Sequence, residues 1–132
     1  MTIQTPEQML TSDQAPDIRV IAMPADTNPS GDIFGGWLMA NMDLAAGNAA
    51  ARRARGRCAT VAVDRMSFHR PVLVGDEVSF FADILKVGRT SMVLHVKAYR
   101  RARESDDMGI VTEATFTFVA IDENRRPRPI PA

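Results

Sequence analysis

The chain has one cysteine, Cys58, and two histidines, His69 and His95, among its 132 residues. A single thiol cannot close an internal disulfide. Two histidines without carboxylates at ligand spacing do not make a multi-histidine centre, so no metal is expected. A surplus of charge is missing too, because 16 basic side chains balance 16 acidic ones and the pI is near 6.7. No overall field then draws in a polyanion, which argues against nucleic acid as a partner. No apolar run approaches bilayer-spanning length, and the N-terminus MTIQTPEQMLTSDQAPD lacks the basic and apolar regions of a secretory signal. The expectation is a soluble, cytoplasmic protein with no membrane partner. No serine stands in a Gly-x-Ser-x-Gly elbow. Cys58 has no evident paired base, so a lone thiol there reads as a small buried hydrophobe.

What is present suits one globular domain: 45% of the residues are hydrophobic, and the length leaves little room for a second core. Residues 1–16 are polar with two prolines, and 125-RRPRPIPA-132 alternates basic residues with prolines that cannot join a ladder. Both ends read as tails around a domain over 17–124. Within it, 17-DIRVIAM-23 is a short strand candidate and 24-PADTNPSGD-32 a turn-rich loop. From Gly36 to about Arg53 small or apolar residues recur at nearly every turn, predicting a helix roughly 27 Å long at ~1.5 Å per residue. Its apolar circumference suggests burial on most sides. Four β-rich segments follow, 58–68, 77–87, 90–101 and 110–121. In the last, Ile110, Ala114, Phe116 and Phe118 fall on one face and Glu113, Thr115 and Thr117 on the other, as a one-sided antiparallel sheet requires. The pattern predicts an α+β domain with a five- to six-stranded antiparallel sheet wrapped round one long central helix.

The chemistry concentrates in 28-NPSGDIFGGWLMANMD-43. Asp43 sits among apolar neighbours, seven residues or two turns past Gly36, on a stripe with Met39, Ala46 and Ala50. Such an acid is either a buried aspartate satisfied by backbone or arginine, or a group retained for catalysis. Gly35 and Gly36 at the helix start offer unpaired amides at the positive end of the dipole, with no side chain to block an approaching carbonyl. An attacking carboxylate or water beside an oxyanion hole is what hydrolysis of an acyl bond needs. Asp32 suits a cap or turn, and Asn28 before Pro29 is a common turn residue. Trp37, Met39 and Met42 read as core or interface.

The run 23-MPADTNPSGDIFGGWLMANMD-43, with 59-ATVAVDRMSFHRPVLVGDEV-78 and 87-VGRTSM-92, closely resembles the hotdog-fold acyl-CoA thioesterases of the YciA type over about residues 18–130. The resemblance implies a dimer with a continuous sheet, commonly assembled as a trimer of dimers, that hydrolyses acyl-CoA without a cofactor, CoA being part of the substrate. It further implies that Asp43 is the general base or a nucleophile forming a mixed anhydride, and that Asn28 reaches the site from the other subunit. Asp32 and Phe34 would line the site, and Phe68 and Pro71 would border the acyl pocket. CoA phosphates call for forked donors. The family points to the turn Gly88, Arg89, Thr90 and Ser91, with Arg57 and Arg70 as helpers. Hotdog dehydratases and hydratases rely on a histidine near the helix, and 28–43 has none, which favours hydrolysis. Two other readings stay open: a thioesterase acting on carrier-protein-bound acyl groups, and a module that binds acyl-CoA without turnover.

Overall fold

The computed structural model describes residues 14–132, so most of the expected N-terminal tail lies outside the described residues. Five strands and one long helix follow the expected order: β1 (Ile18–Ile21), α1 (Gly35–Ala54), β2 (Cys58–Phe68), β3 (Glu77–Val87), β4 (Ser91–Arg101) and β5 (Met108–Ala120). All pairings are antiparallel and the strand order is β1-β3-β4-β5-β2. Two hairpins therefore build the centre of the sheet, while β2, which follows the helix, closes one edge. The concave face holds Val78, Phe80, Met92, Leu94, Val96, Val111, Phe116 and Phe118, all buried.

The helix lies on that face through Leu38, Met42, Ala45, Ala46, Ala50 and Ala54. Small residues bring the two layers close. A Cβ on Gly47 would already stand 3.5 Å from the Phe118 ring. Burial on most sides does not hold within one chain, because Leu44 is 64% exposed and Met39 40%. The stripe expected to join Asp43 to Ala46 and Ala50 likewise divides. Both alanines are in the core, whereas Met39 and Asp43 face a cleft.

Two further departures have local causes. Ile110 was expected on the core face, but the register breaks between Ala98 and Tyr99, so Val111 is buried there instead. One residue too many on a strand moves every earlier side chain to the other face. The segment 125–132 is not a free tail. The Arg128 amide donates to the Ala120 carbonyl at 2.9 Å, the Ile130 amide to Arg89 at 2.8 Å, and the Arg128 guanidinium to the Ala54 carbonyl at 3.0 Å. Proline forbids a regular ladder, yet the alternating non-proline residues still supply donors, and Ile130 packs against the core.

Candidate active site

The helix begins without a side-chain cap. Phe34, in extended conformation, takes the cap position, and its carbonyl accepts from the Trp37 amide at 3.1 Å. The amides of Gly35 and Gly36 take no part in that bond. Of the two roles expected for Asp32, cap or turn, it takes the second and belongs to the turn before the helix. There Asn28 Oδ1 accepts from the amides of Ser30 at 2.9 Å and Asp32 at 3.1 Å, and Gly31 adopts φ +85°, a conformation glycine enters without strain.

Successive helix residues are about 100° apart, so the two glycines open onto different clefts. Gly36 shares one with Met39, Ala40 and Asp43 of the helix, Thr60 and Val63 of β2, and Phe116 of β5. This cleft encloses about 330 Å³ and is apolar apart from Asp43 and Thr60. The Thr60 hydroxyl donates to Asp43 Oδ1 at 2.6 Å. Oδ2 has no hydrogen-bond partner among the described residues, so the carboxylate is fixed at one oxygen and open at the other. Gly35 faces the second cleft, about 340 Å³, with Phe68, His69, Arg70, Pro71 and Val72 on its far wall. Phe68 packs so closely that a Cβ on Gly35 would meet its ring at 3.0 Å.

Roomier cavities exist, among them one of about 470 Å³ beside Arg52, Arg53 and Arg55 at the far end of the helix. Size does not select the site, because that cavity is ringed by arginines and its one aspartate, Asp17, already accepts from the Ala82 amide at 2.8 Å.

The remaining sequence candidates fall into two groups. Arg89 and Thr90 sit on the β3–β4 turn, closed by a Gly88 amide bond to the Ser91 carbonyl at 2.7 Å, and the Thr90 carbonyl accepts from Ala120 at 2.8 Å. The Arg57 carbonyl accepts from Ile121 at 3.0 Å, which places Arg57 at the same end of the sheet. Arg70 does not join them. It covers Gly109 at the start of β5, roughly 35 Å of strand away at ~3.4 Å per residue. Asn28 and Asp32 line neither cleft within this chain.

Thr60 escaped the sequence reading, since a threonine in a strand looks like an ordinary solvent-facing residue. A register break between Thr60 and Ala62 leaves Val61 as the extra residue, and Thr60 turns to the helix. The histidines were read as lacking carboxylates at ligand spacing, yet His69 and His95 Nε2 each lie 3.0 Å from a different oxygen of Glu113. Burial pushes the Glu113 carboxyl up, but the hydrogen bonds from His69 and His95 and their charges outweigh it, leaving it below the usual range. Among the described residues no such group could hold a metal ion. Burial pushes the Cys58 thiol up against the opposing charge of Arg128, as suits an inert packing residue. No described helix is long and apolar enough to cross a membrane.

Comparison with known proteins gives this geometry its family. The thioesterase superfamily profile matches residues 30–105. An uncharacterised acyl-CoA thioester hydrolase of Zymomonas mobilis is 55% identical over 116 residues, 88% of this chain and 78% of that one. The acyl-CoA thioester hydrolase YciA of Escherichia coli is 44% identical over 117 residues, covering 86% and 89%. Among solved structures, a hexameric broad-specificity acyl-coenzyme A thioesterase superposes with a TM-score of 0.85 at 44% identity, over 92% of this chain and 84% of that one. With its helix wrapped by a five-stranded antiparallel sheet and a half-buried aspartate in the cleft between them, the chain belongs to the thioesterase superfamily and has its hotdog fold.

Proposed function

We propose that this protein hydrolyses acyl-CoA thioesters, releasing a carboxylate and free CoA. The observation that carries the reading is the Asp43 carboxylate, held at one oxygen by Thr60 and open at the other, in an apolar cleft that begins at Gly36. A thioester carbonyl near the Gly35 and Gly36 amides gains donors for the charge that develops on its oxygen. Asp43 either takes a proton from the attacking water or attacks the carbonyl carbon itself, and both routes use the free Oδ2. The sulfur then leaves as the CoA thiol, taking its proton from the protonated Asp43 in the first route and from water in the second, where a water molecule afterwards hydrolyses the acyl-Asp43 anhydride to free the carboxylate.

One chain supplies only part of this machinery. Asn28 comes from a second copy, with Asp32 and Phe34 beside it, which accords with the exposed apolar residues on α1 and β2. Dimers assembled as a hexamer follow the solved relative, whose described form is hexameric. The turn of Gly88, Arg89, Thr90 and Ser91, with Arg57 at the same end of the sheet, takes the CoA phosphates, while Phe68 and Pro71 border the acyl chain. No cofactor is required, and the cytoplasm, where acyl-CoA is made and used, is the proposed location.

Thiol release measured over a series of acyl-CoA chain lengths tests the proposal. Asp43→Ala should lower turnover by at least ~10²-fold, the scale of losing a base or nucleophile. A changed KM with unaltered turnover would remove Asp43 from the chemistry. Carrier-protein-bound acyl groups preferred at matched concentration would change the substrate class. Tight acyl-CoA binding with no thiol released by the wild type would leave a binding module.

A further inference from the structure

Three ionisable side chains from three segments meet at Glu113. Each of its carboxylate oxygens is occupied by one imidazole, His69 on Oε2 and His95 on Oε1. The carboxylate therefore cannot rotate without breaking a bond. Lys97 stands directly opposite Glu113 on β4, and Asp83 opposite His95 on β3. His95 belongs to the centre of the sheet, which makes it the fixed end of the chain of contacts. His69 is the other end, immediately after β2, and it lines the second cleft.

Backbone bonds already tie this stretch to β5: the amides of His69 and Arg70 donate to the Val111 carbonyl, and the Thr112 hydroxyl donates to the Ser67 carbonyl. They fix the path of the chain but not the orientation of the imidazole, for which Glu113 is the one recorded partner among the described residues. Phe68, the preceding residue, leaves no slack against Gly35. With the ring this close to Gly35, the width of the cleft depends on where Phe68 stands. The three side chains are 25–40% exposed, and ion pairs this wet add little to stability. Their effect is on geometry.

We propose that Glu113, anchored by His95, is a positioning residue for the wall of the second cleft. It holds His69, and with it Phe68 and Pro71, at the separation from Gly35 that grips the acyl chain of the substrate. The inference rests on the acyl-CoA reading of the site. It separates short acyl groups, which end before the wall, from longer ones, which press on it.

Kinetics of Glu113→Ala over acyl chain length provide the test. KM for long acyl-CoA should rise about fivefold to tenfold, with kcat within about twofold and acetyl-CoA unaffected. Glu113→Gln should restore most of the affinity, since an amide can accept from one imidazole and donate to the other. Equal losses at every chain length, or no change at all, would overturn the proposal. A second readout is the His69 imidazole resonance on adding a non-hydrolysable thioether analogue of a long acyl-CoA. A shift in the wild type that is absent in Glu113→Ala supports the positioning role, and identical shifts in both refute it. Absence of thiol release by the wild type would defeat the hydrolase reading alone, and the resonance experiment would still decide the role of Glu113.

Discussion

Strands β2 and β4 are both 11 residues long, and they live in opposite surroundings. In β4 every second residue from Met92 to Ala98 is buried under the helix. In β2 no residue is buried, and Val61 and Phe68 are more than half exposed. Sequence composition does not separate them, since both are rich in β-branched and apolar residues. Position does: β4 has a strand on each side, whereas β2 is the edge, and an open apolar edge is a template for pairing with another chain. The catalytic candidates follow the same division. Asp43 and Thr60 meet where the helix faces β2, at the open edge of the sheet.

The sharpest way to break this contrast is to charge the open rim. Leu44→Glu combined with Val61→Glu should convert the assembly to monomers by light scattering and cut activity by ~10³-fold or more, because a charge desolvated in an apolar contact has no partner. The circular dichroism of the chain should barely change. Retained activity in a monomer would end the view that the site needs a second copy. At the opposite pole, Leu94→Ala in β4 should cost about 2–5 kcal/mol in denaturant unfolding. An effect below about 0.5 kcal/mol would mean that the buried face is not the principal source of stability. The smallest effect is expected between the two, where Thr60→Val keeps the shape but removes the donor to Asp43. Turnover should fall about tenfold, with KM little changed and the thermal midpoint steady, since one positioned hydrogen bond to a carboxylate is of that order. Unchanged turnover would make Thr60 a packing residue.

How legible these features were follows from the range of the interaction that makes them. The helix and four long strands were readable to within a residue or two, because periodicity is a local property. That Gly36 and Asp43 share a face was readable for the same reason, being two turns apart on one helix, whereas Gly35 opens onto the other cleft. The docking of 125–132 was not readable. Prolines announce what a segment cannot form, but whether Ile130 finds a core to pack on depends on where residues 40 positions earlier have gone. Arg70 was grouped with Arg89 by resemblance to the family, and within one chain the length of β5 keeps them apart. The core face of β5 was assigned correctly from Ala114 onward and failed at Ile110, on the far side of the bulge.

Local chemistry along the chain was thus enough to set the elements, the balance of charge and the placement of one acid two turns from a pair of bare amides. Only the folded arrangement chose the partners: Thr60 for Asp43 across 17 residues, and Glu113 for His69 across 44. Such pairings turn on strand register, and a single extra residue at Val61 or Val111 reverses which side chains face the helix. Periodicity reports which residues share a face, while the bulges that reassign those faces arise from contacts between strands that are neighbours only after folding.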